Sequence, residues 1–249
     1  MKKAVIIPAR YSSSRLPGKP LKDILGKPMI IRVCEAVDPK SADIIAVATD
    51  DVRIANVVEE HGYKAIMTRD DHICGTDRLH EAANKLKLNA EDIIINLQGD
   101  EPLMPNENLK QVSDLLEQNS DMAVSTLYED ISLTDGLDNP NAVKLVQALN
   151  DQVLYFSRAN IPFDRDNSRT PSEMLKRHVG VYAYRKSALD AFVTYPESSL
   201  EALEKLEQLR FLENGHKIIA QKARVTIPIG VDTEEDLHNV IQLFKEQAL

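Results

Sequence analysis

Apolar residues in the first hundred positions come in short, continuous runs. "AVIIPA" (4–9), "DIIAVAT" (43–49), "KAIMT" (64–68) and "DIIINLQ" (92–98) are rich in Ile, Val and Ala and show little alternation. A strand covered on both faces has this pattern, because both of its rows of side chains are buried. Between the runs the spacing predicts helices over about 28–37, 51–61 and 77–88, with another at about 106–118. Strands alternating with helices predict an α/β fold built on a doubly wound, mostly parallel sheet.

The rhythm changes after residue 121. "MAVSTLYE", "NAVKLVQA", "QVLYFS" and "RHVGVYAYR" follow one another with only turns or polar loops between them. This predicts a small antiparallel β subdomain over about 122–185, inserted in the parallel sheet or appended to it. The polar, turn-rich stretch 162–177 is expected to be a mobile loop. Helices return at about 187–194 and 200–214, followed by a strand at about 217–222 and a last helix from about 233. No repeat, low-complexity tract or linker divides the chain, so residues 1–249 are expected to form one domain.

Composition narrows the function. With 43% hydrophobic residues and 28% charged, the chain has the balance of a soluble globular protein. No apolar run approaches the roughly 20 residues that span a bilayer. The opening "MKKAVIIPAR" is too short and too soon interrupted for a secretory signal, which makes the cytoplasm the expected location. Cys34 and Cys74 lack metal-ligand spacing and are expected as free thiols. A net charge of -9 argues against a nucleic-acid partner.

Against that acidic background, "ARYSSSRLPGKP" (9–20) stands out directly after the first strand. Ligands of open α/β sheets bind beyond the carboxyl ends of the strands. The loop is not a known phosphate fingerprint: GxGxxG is absent, and Lys27 after Gly26 is followed by Pro28 rather than Ser or Thr. It nevertheless has the chemistry a polyphosphate needs. Ser12, Ser13 and Ser14 offer hydroxyls and N–H groups, Gly18 permits close approach, Arg10 and Arg15 offer forked donors, and Lys19 a point charge. A solvated basic loop is the alternative. Asp100, just after "DIIINLQ", can supply carboxylate oxygen to Mg²⁺ or serve as a turn aspartate. At "GVDTEEDL", Asp232 with Glu235 or Thr233 with Asp236 can form a capping box for the last helix.

The loop sequence "PARYSSSRLPGKPL" closely resembles the opening of the 3-deoxy-manno-octulosonate (Kdo) cytidylyltransferases. The resemblance continues in order through "GTDRLHE" (75–81), "NLQGDEPL" (96–103), "NPNAVKLV" (139–146), "LYFSRANIPFDRD" (154–166), "RHVGVYAYR" (177–185), "LEKLEQLRFLENGHKI" (203–218) and "GVDTEEDL" (230–237). It implies a fold similar to the nucleotide-diphosphosugar transferases, a homodimer, and transfer of CMP from CTP to Kdo with release of pyrophosphate.

It also implies roles for individual residues. Arg10, Arg15 and Lys19 match the triphosphate-binding cations, in a nucleotide site that also takes in Pro8, Ala9, Ser13, Thr76, Arg78, Gln98 and Asp100. Asp100 and Asp232 match the carboxylates that hold Mg²⁺, and Glu101 is expected to orient the loop. Arg158 and His178 resemble the sugar-binding residues, with Tyr182, Glu207 and Gln208 beside them. Family members usually carry serine where this chain has Cys74, which removes one hydroxyl contact. Related acceptors such as 8-amino-Kdo or sialic acid remain alternatives, as does a non-catalytic nucleotide-binding regulator. The Arg15-Leu-Pro-Gly-Lys-Pro run favours Kdo over sialic acid.

Overall fold

The computed structural model describes residues 1–12, 15–72, 74–131, 139–166 and 175–247. The buried apolar runs form the strands β1 (Lys3–Ala9), β4 (Ile44–Thr49), β5 (Lys64–Met67) and β6 (Ile93–Asn96). They are mutually parallel, in the order β6-β1-β4-β5. A two-residue hairpin pair, β2 (Asp23–Ile24) and β3 (Lys27–Pro28), follows the first loop. The helices α1 (Met29–Glu35), α2 (Val52–Glu60), α3 (Gly75–Lys85) and α4 (Asn106–Gln118) connect the parallel strands or follow them.

The later strands are β7 (Val124–Asp130), β8 (Lys144–Gln147), β9 (Val153–Ser157), β10 (Lys176–Arg185) and β11 (Ile218–Lys222). The antiparallel element is inserted in the main sheet, not appended to it. β10 lies between β6 and β7, antiparallel to both, and β11 runs parallel to β7 at the edge. The antiparallel pair β8–β9 joins the beginning of β10. A bulge in β10 between Val179 and Tyr182 shifts its register against β7. Of the expected loop 162–177, residues 167–174 lie outside the described residues.

The C-terminal helices are α5 (Lys186–Phe192), α6 (Ser199–Glu204), α7 (Gln208–Glu213) and α8 (Glu234–Gln247). The continuous helix expected over 200–214 is broken. Lys205 takes the left-handed conformation, with φ 52°, and ends α6. The apolar spacing of "LEKLEQLRFL" survives the break, so the pattern could not report it.

One large apolar cluster covers each face of the sheet. Val5, Ile7, Val47 and Ile95 pack under α1, α2 and α4, while Ile6, Ala46, Ile94 and Tyr184 pack under α3, α5 and α7. A third, smaller cluster matters most for the site. Leu16 of the first loop is fully buried against Ile24, Met29, Val231 and Leu237. This apolar anchor ties the basic loop to the segment leading into α8. No helix among the described residues is long and apolar enough to cross a membrane.

Candidate functional site

The carboxyl ends of β1 and β6 open into a cleft with two unlike halves. The first is a cavity of about 320 Å³ lined by Pro8, Ala9, Arg10, Ser12, Arg15, Lys19, Gln98, Gly99, Asp100 and Asp232. Gly99 lets its walls close up: a Cβ there would lie 2.7 Å from the Pro8 carbonyl oxygen. Gly18, at φ 68°, starts the single 3-10 turn Lys19–Leu21 that aims Lys19 inward.

Lys19 Nζ is the centre of this half. It donates to Asp100 Oδ2 at 2.7 Å, to Asp232 Oδ1 at 3.1 Å and to the Val231 carbonyl at 2.9 Å. Two carboxylates that stand 81 and 213 positions from Lys19 along the chain thus meet on one ammonium. Arg15 adds a second cation, 3.1 Å from Asp232, but is 66% exposed where Lys19 is 16%. Arg10 donates to the His72 carbonyl at 2.6 Å. Ser13 lies outside the described residues.

The capping question at the last helix has a clear answer. Thr233 Oγ1 accepts from the Asp236 N–H at 3.1 Å, and Asp236 Oδ2 accepts from the Thr233 N–H at 2.8 Å. The reciprocal box therefore uses Thr233 and Asp236, and the Asp232 carboxylate is left facing the cations. Glu101 turns away from them. Its Oε2 is buried without a partner among the described residues, and burial, with neighbouring Asp100, pushes its pKa up to about 8.

The second half is a cavity of about 390 Å³ on the α3–α7 side of the sheet. Gln98 borders both halves. Asn96 and Tyr182 are cross-strand partners on β6 and β10, and Tyr182 stacks on Tyr184 at 5.6 Å between ring centroids. His178 completes the aromatic row, 5.2 Å from Tyr182. Thr76 donates to Glu207 Oε2 at 2.8 Å, tying the start of α3 to the turn before α7, and Gln208 lines the same wall, largely buried.

His178 is neutral. Burial, with Arg177 beside it, pulls its pKa down to about 3. Its tautomer follows from its neighbour. Thr126 Oγ1 lies 2.7 Å from the Val181 carbonyl and 3.1 Å from the Val179 carbonyl, so its hydrogen goes to a carbonyl. The 3.0 Å contact with His178 Nε2 is then an N–H donated to Thr126, which leaves Nδ1 as an acceptor. In this state His178 offers a lone pair to a hydroxyl, not a charge to a carboxylate.

Two expected ligand-binding arginines spend their guanidinium groups on the protein itself. Arg78 is fully buried, donating to Thr68 Oγ1 at 2.5 Å and to Asp50 Oδ2 at 2.6 Å. It pins the ends of β4 and β5 under α3 and does not face the nucleotide half. Arg158 spends its guanidinium on carbonyls: Nε to Glu204 at 2.7 Å, Nη1 to Pro140 at 2.8 Å and Nη2 to Lys205 at 3.3 Å. It supports the turn that carries Lys205 and Glu207 and lines neither half. Lys205 itself is the one lysine or arginine among the described residues lining the neutral half. No sequence signal marks it, because the left-handed turn presenting it hides inside a helical pattern. Asn96 was also missed, although a polar residue two before Gln98 in an apolar strand shares the face of Gln98.

A divalent cation fits the charged half in part. Among the described residues no group of three or more metal-ligating side chains occurs. Two carboxylates already share one cation, and a hard ion such as Mg²⁺ takes its remaining oxygens from phosphate and water. A larger groove of about 670 Å³ beside α3 has charges that cancel in pairs, Arg69 with Asp71 and Lys85 with Glu81, and so offers an anion no comparable field.

Comparison with known proteins agrees with this geometry. Residues 4–218 match the family model described as cytidylyltransferase. A 3-deoxy-manno-octulosonate cytidylyltransferase of Francisella tularensis subsp. holarctica is 47% identical over 96% of this chain and 97% of its own length. The protein of that name from Cellvibrio japonicus is 46% identical, covering 97% of each. A solved CMP:2-keto-3-deoxy-manno-octonic acid synthetase complexed with CTP superposes with a TM-score of 0.91 at 41% identity, over 99% of this chain and 100% of that one. A cytidylyltransferase from Leptospira borgpetersenii shares the fold, at a TM-score of 0.60 and 15% identity.

Proposed function

The chain belongs to the cytidylyltransferase family, among the 3-deoxy-manno-octulosonate cytidylyltransferases, and on that premise we propose that it transfers CMP from CTP to Kdo, releasing pyrophosphate. The observation that carries the reading is the meeting of Asp100 and Asp232 on Lys19 beside Arg15, at the carboxyl end of the first strand. The charged half takes the triphosphate and the neutral half takes the sugar acid. Gln98, common to both, lies where the two substrates meet.

The anomeric hydroxyl of Kdo attacks the α-phosphorus and pyrophosphate leaves in line. Asp100 and Asp232 would hold Mg²⁺, which supplies charge neutralisation on the phosphate and lowers the pKa of a bound hydroxyl. Lys19 and Arg15 neutralise charge on the departing pyrophosphate. Arg10 and the backbone of Pro8 and Ala9 form the loop side of the triphosphate site, with Ser13 in the same loop. On the sugar side, Tyr182, Gln208 and neutral His178 meet hydroxyls, and Glu207 is oriented by Thr76. The sugar carboxylate falls to Lys205, since Arg158 is committed to carbonyls. Holding two anions together is most of the catalytic problem.

The product would serve lipopolysaccharide synthesis in the cytoplasm. The enzyme would act as a homodimer through the β8–β9 side, where Leu154 and Phe163 are exposed. The deciding experiment is pyrophosphate release from CTP and Mg²⁺ with a panel of Kdo, 8-amino-Kdo and sialic acid. Release with Kdo supports the reading. Release only with another sugar acid, or CTP binding without turnover on any, overturns it.

A further inference from the structure

The neutral half contains a buried acceptor with nothing to accept from. Asn96 ends β6, is 5% exposed and lines this cavity. Its Oδ1 is buried and has no hydrogen-bond partner among the described residues. Protein interiors rarely leave such an atom unsatisfied, and those left so are often completed by a ligand. The same side chain interacts with the Tyr184 hydroxyl, which fixes the amide in place. Asn96 lies two residues before Gln98, so it shares the cleft-facing side of the strand but sits deeper, away from the charged half.

We propose that Asn96 Oδ1 is a specificity-determining acceptor for a hydroxyl of the sugar acid, at the floor of the neutral half. The proposal rests on the Kdo transfer reading above and names the contact that reading leaves open. The surroundings favour a polyol over a second anion: the Glu207 carboxylate and the Nδ1 lone pair of neutral His178 are also acceptors, and Lys205 is the one lysine or arginine there among the described residues. Three acceptors in a largely buried space suit a ligand that brings several O–H donors. A site whose buried polar group is left unpaired by the wrong ligand discriminates more sharply than one built on shape alone.

The test is steady-state kinetics on Asn96→Leu, Asn96→Asp and Tyr184→Phe, together with calorimetric CTP binding in the absence of sugar. Asn96→Leu should raise the KM for Kdo on the order of tenfold or more, as expected when one buried hydrogen bond is lost. CTP affinity should stay at the wild-type value. Asn96→Asp keeps an oxygen acceptor and should hold the KM near wild type. One singly deoxygenated Kdo analogue should lose efficiency with the wild type yet lose nothing further with Asn96→Leu, because both changes delete the same bond. If Asn96→Leu does not fold, Asn96→Ala takes its place in that cycle. The proposal is overturned by a wild-type KM in Asn96→Leu. It is equally overturned if Tyr184→Phe reproduces the defect, since Asn96 would then act through Tyr184, or if CTP binding falls, since the amide would then serve the base. Wild-type enzyme that binds CTP but does not turn over Kdo fails the transfer reading itself, a separate result.

Discussion

The two halves of the cleft solve opposite electrostatic problems. The charged half is built on loops and keeps its ions at a half-exposed surface, where Lys19, Arg15, Asp100 and Asp232 neutralise one another. The neutral half is built on the adjoining strands β6 and β10 and offers mainly uncharged groups, down to an imidazole that stays neutral at physiological pH, with Lys205 and Glu207 balancing each other at its rim. A triphosphate carries its own charge and can exchange partners with a paired cluster. A sugar needs fixed hydrogen-bond geometry, which rigid strands provide better than loops. The contrast predicts that substitutions in one half should spare the other.

The largest effect is expected at the carboxylates. Asp100→Asn or Asp232→Asn should lower turnover by at least roughly a hundredfold, the scale of losing a main electrostatic contact to the transition state. The melting temperature should hardly change, because the helix cap is made by Thr233 and Asp236. A lowered melting temperature with an unchanged rate would make Asp232 a structural residue.

Next comes Lys19, whose ammonium lies between the two carboxylates. Lys19→Met should slow turnover by about ten- to a hundredfold, equivalent to about 1–3 kcal/mol. It should also leave Asp100 without its cation and Asp232 with Arg15 alone, so that Mn²⁺ binds without nucleotide more tightly than to the wild type, measured by paramagnetic resonance. Equal Mn²⁺ affinity in the two proteins would show that the lysine does not occupy the cation position.

Arg158 separates contact from support. With three carbonyl partners, Arg158→Ala should cost about 2–3 kcal/mol of stability in urea unfolding, with any rise in sugar KM following from the loosened turn. A raised KM at unchanged stability would restore Arg158 to direct sugar contact.

The smallest effect is in the pH dependence of stability, where two partly buried groups oppose each other. His178 has its pKa held down to about 3 from 6.5, so the unfolded chain takes up a proton as pH falls through 6.5 and stability is lost from there toward 3. Glu101 is raised from 4.5 to about 8, so the folded chain retains a proton that the unfolded chain releases, and stability is lost as pH rises between those values. Between 4.5 and 6.5 the two slopes have opposite sign, each at most about 1.4 kcal/mol per pH unit. Urea midpoints of His178→Gln should fall with rising pH across that window and those of Glu101→Gln should rise. Profiles parallel to the wild type in both variants would remove the two groups from the balance.

The two halves were unequally visible in the sequence. The parallel strands and the basic loop were legible because burial and charge are properties of consecutive residues. The meeting of Asp100 and Asp232 was legible only through the family resemblance and not from spacing, since it depends on Leu16 and Val231 sharing an apolar cluster. Family resemblance named Arg78 and Arg158 by position, but the partners seen here, Thr68 and Asp50 for one and three carbonyls for the other, leave no trace in the sequence. The break at Lys205 was invisible because the apolar spacing continues through it. Neutral His178 required three-dimensional knowledge of Thr126 and its carbonyls.

The division of labour between the halves is tested most directly by calorimetric titration of CTP with Mg²⁺, without sugar, into wild type, Lys19→Met and His178→Gln. The account predicts about tenfold or greater weakening in Lys19→Met and wild-type affinity in His178→Gln. Equal weakening in both variants, or unchanged binding in Lys19→Met, would contradict it.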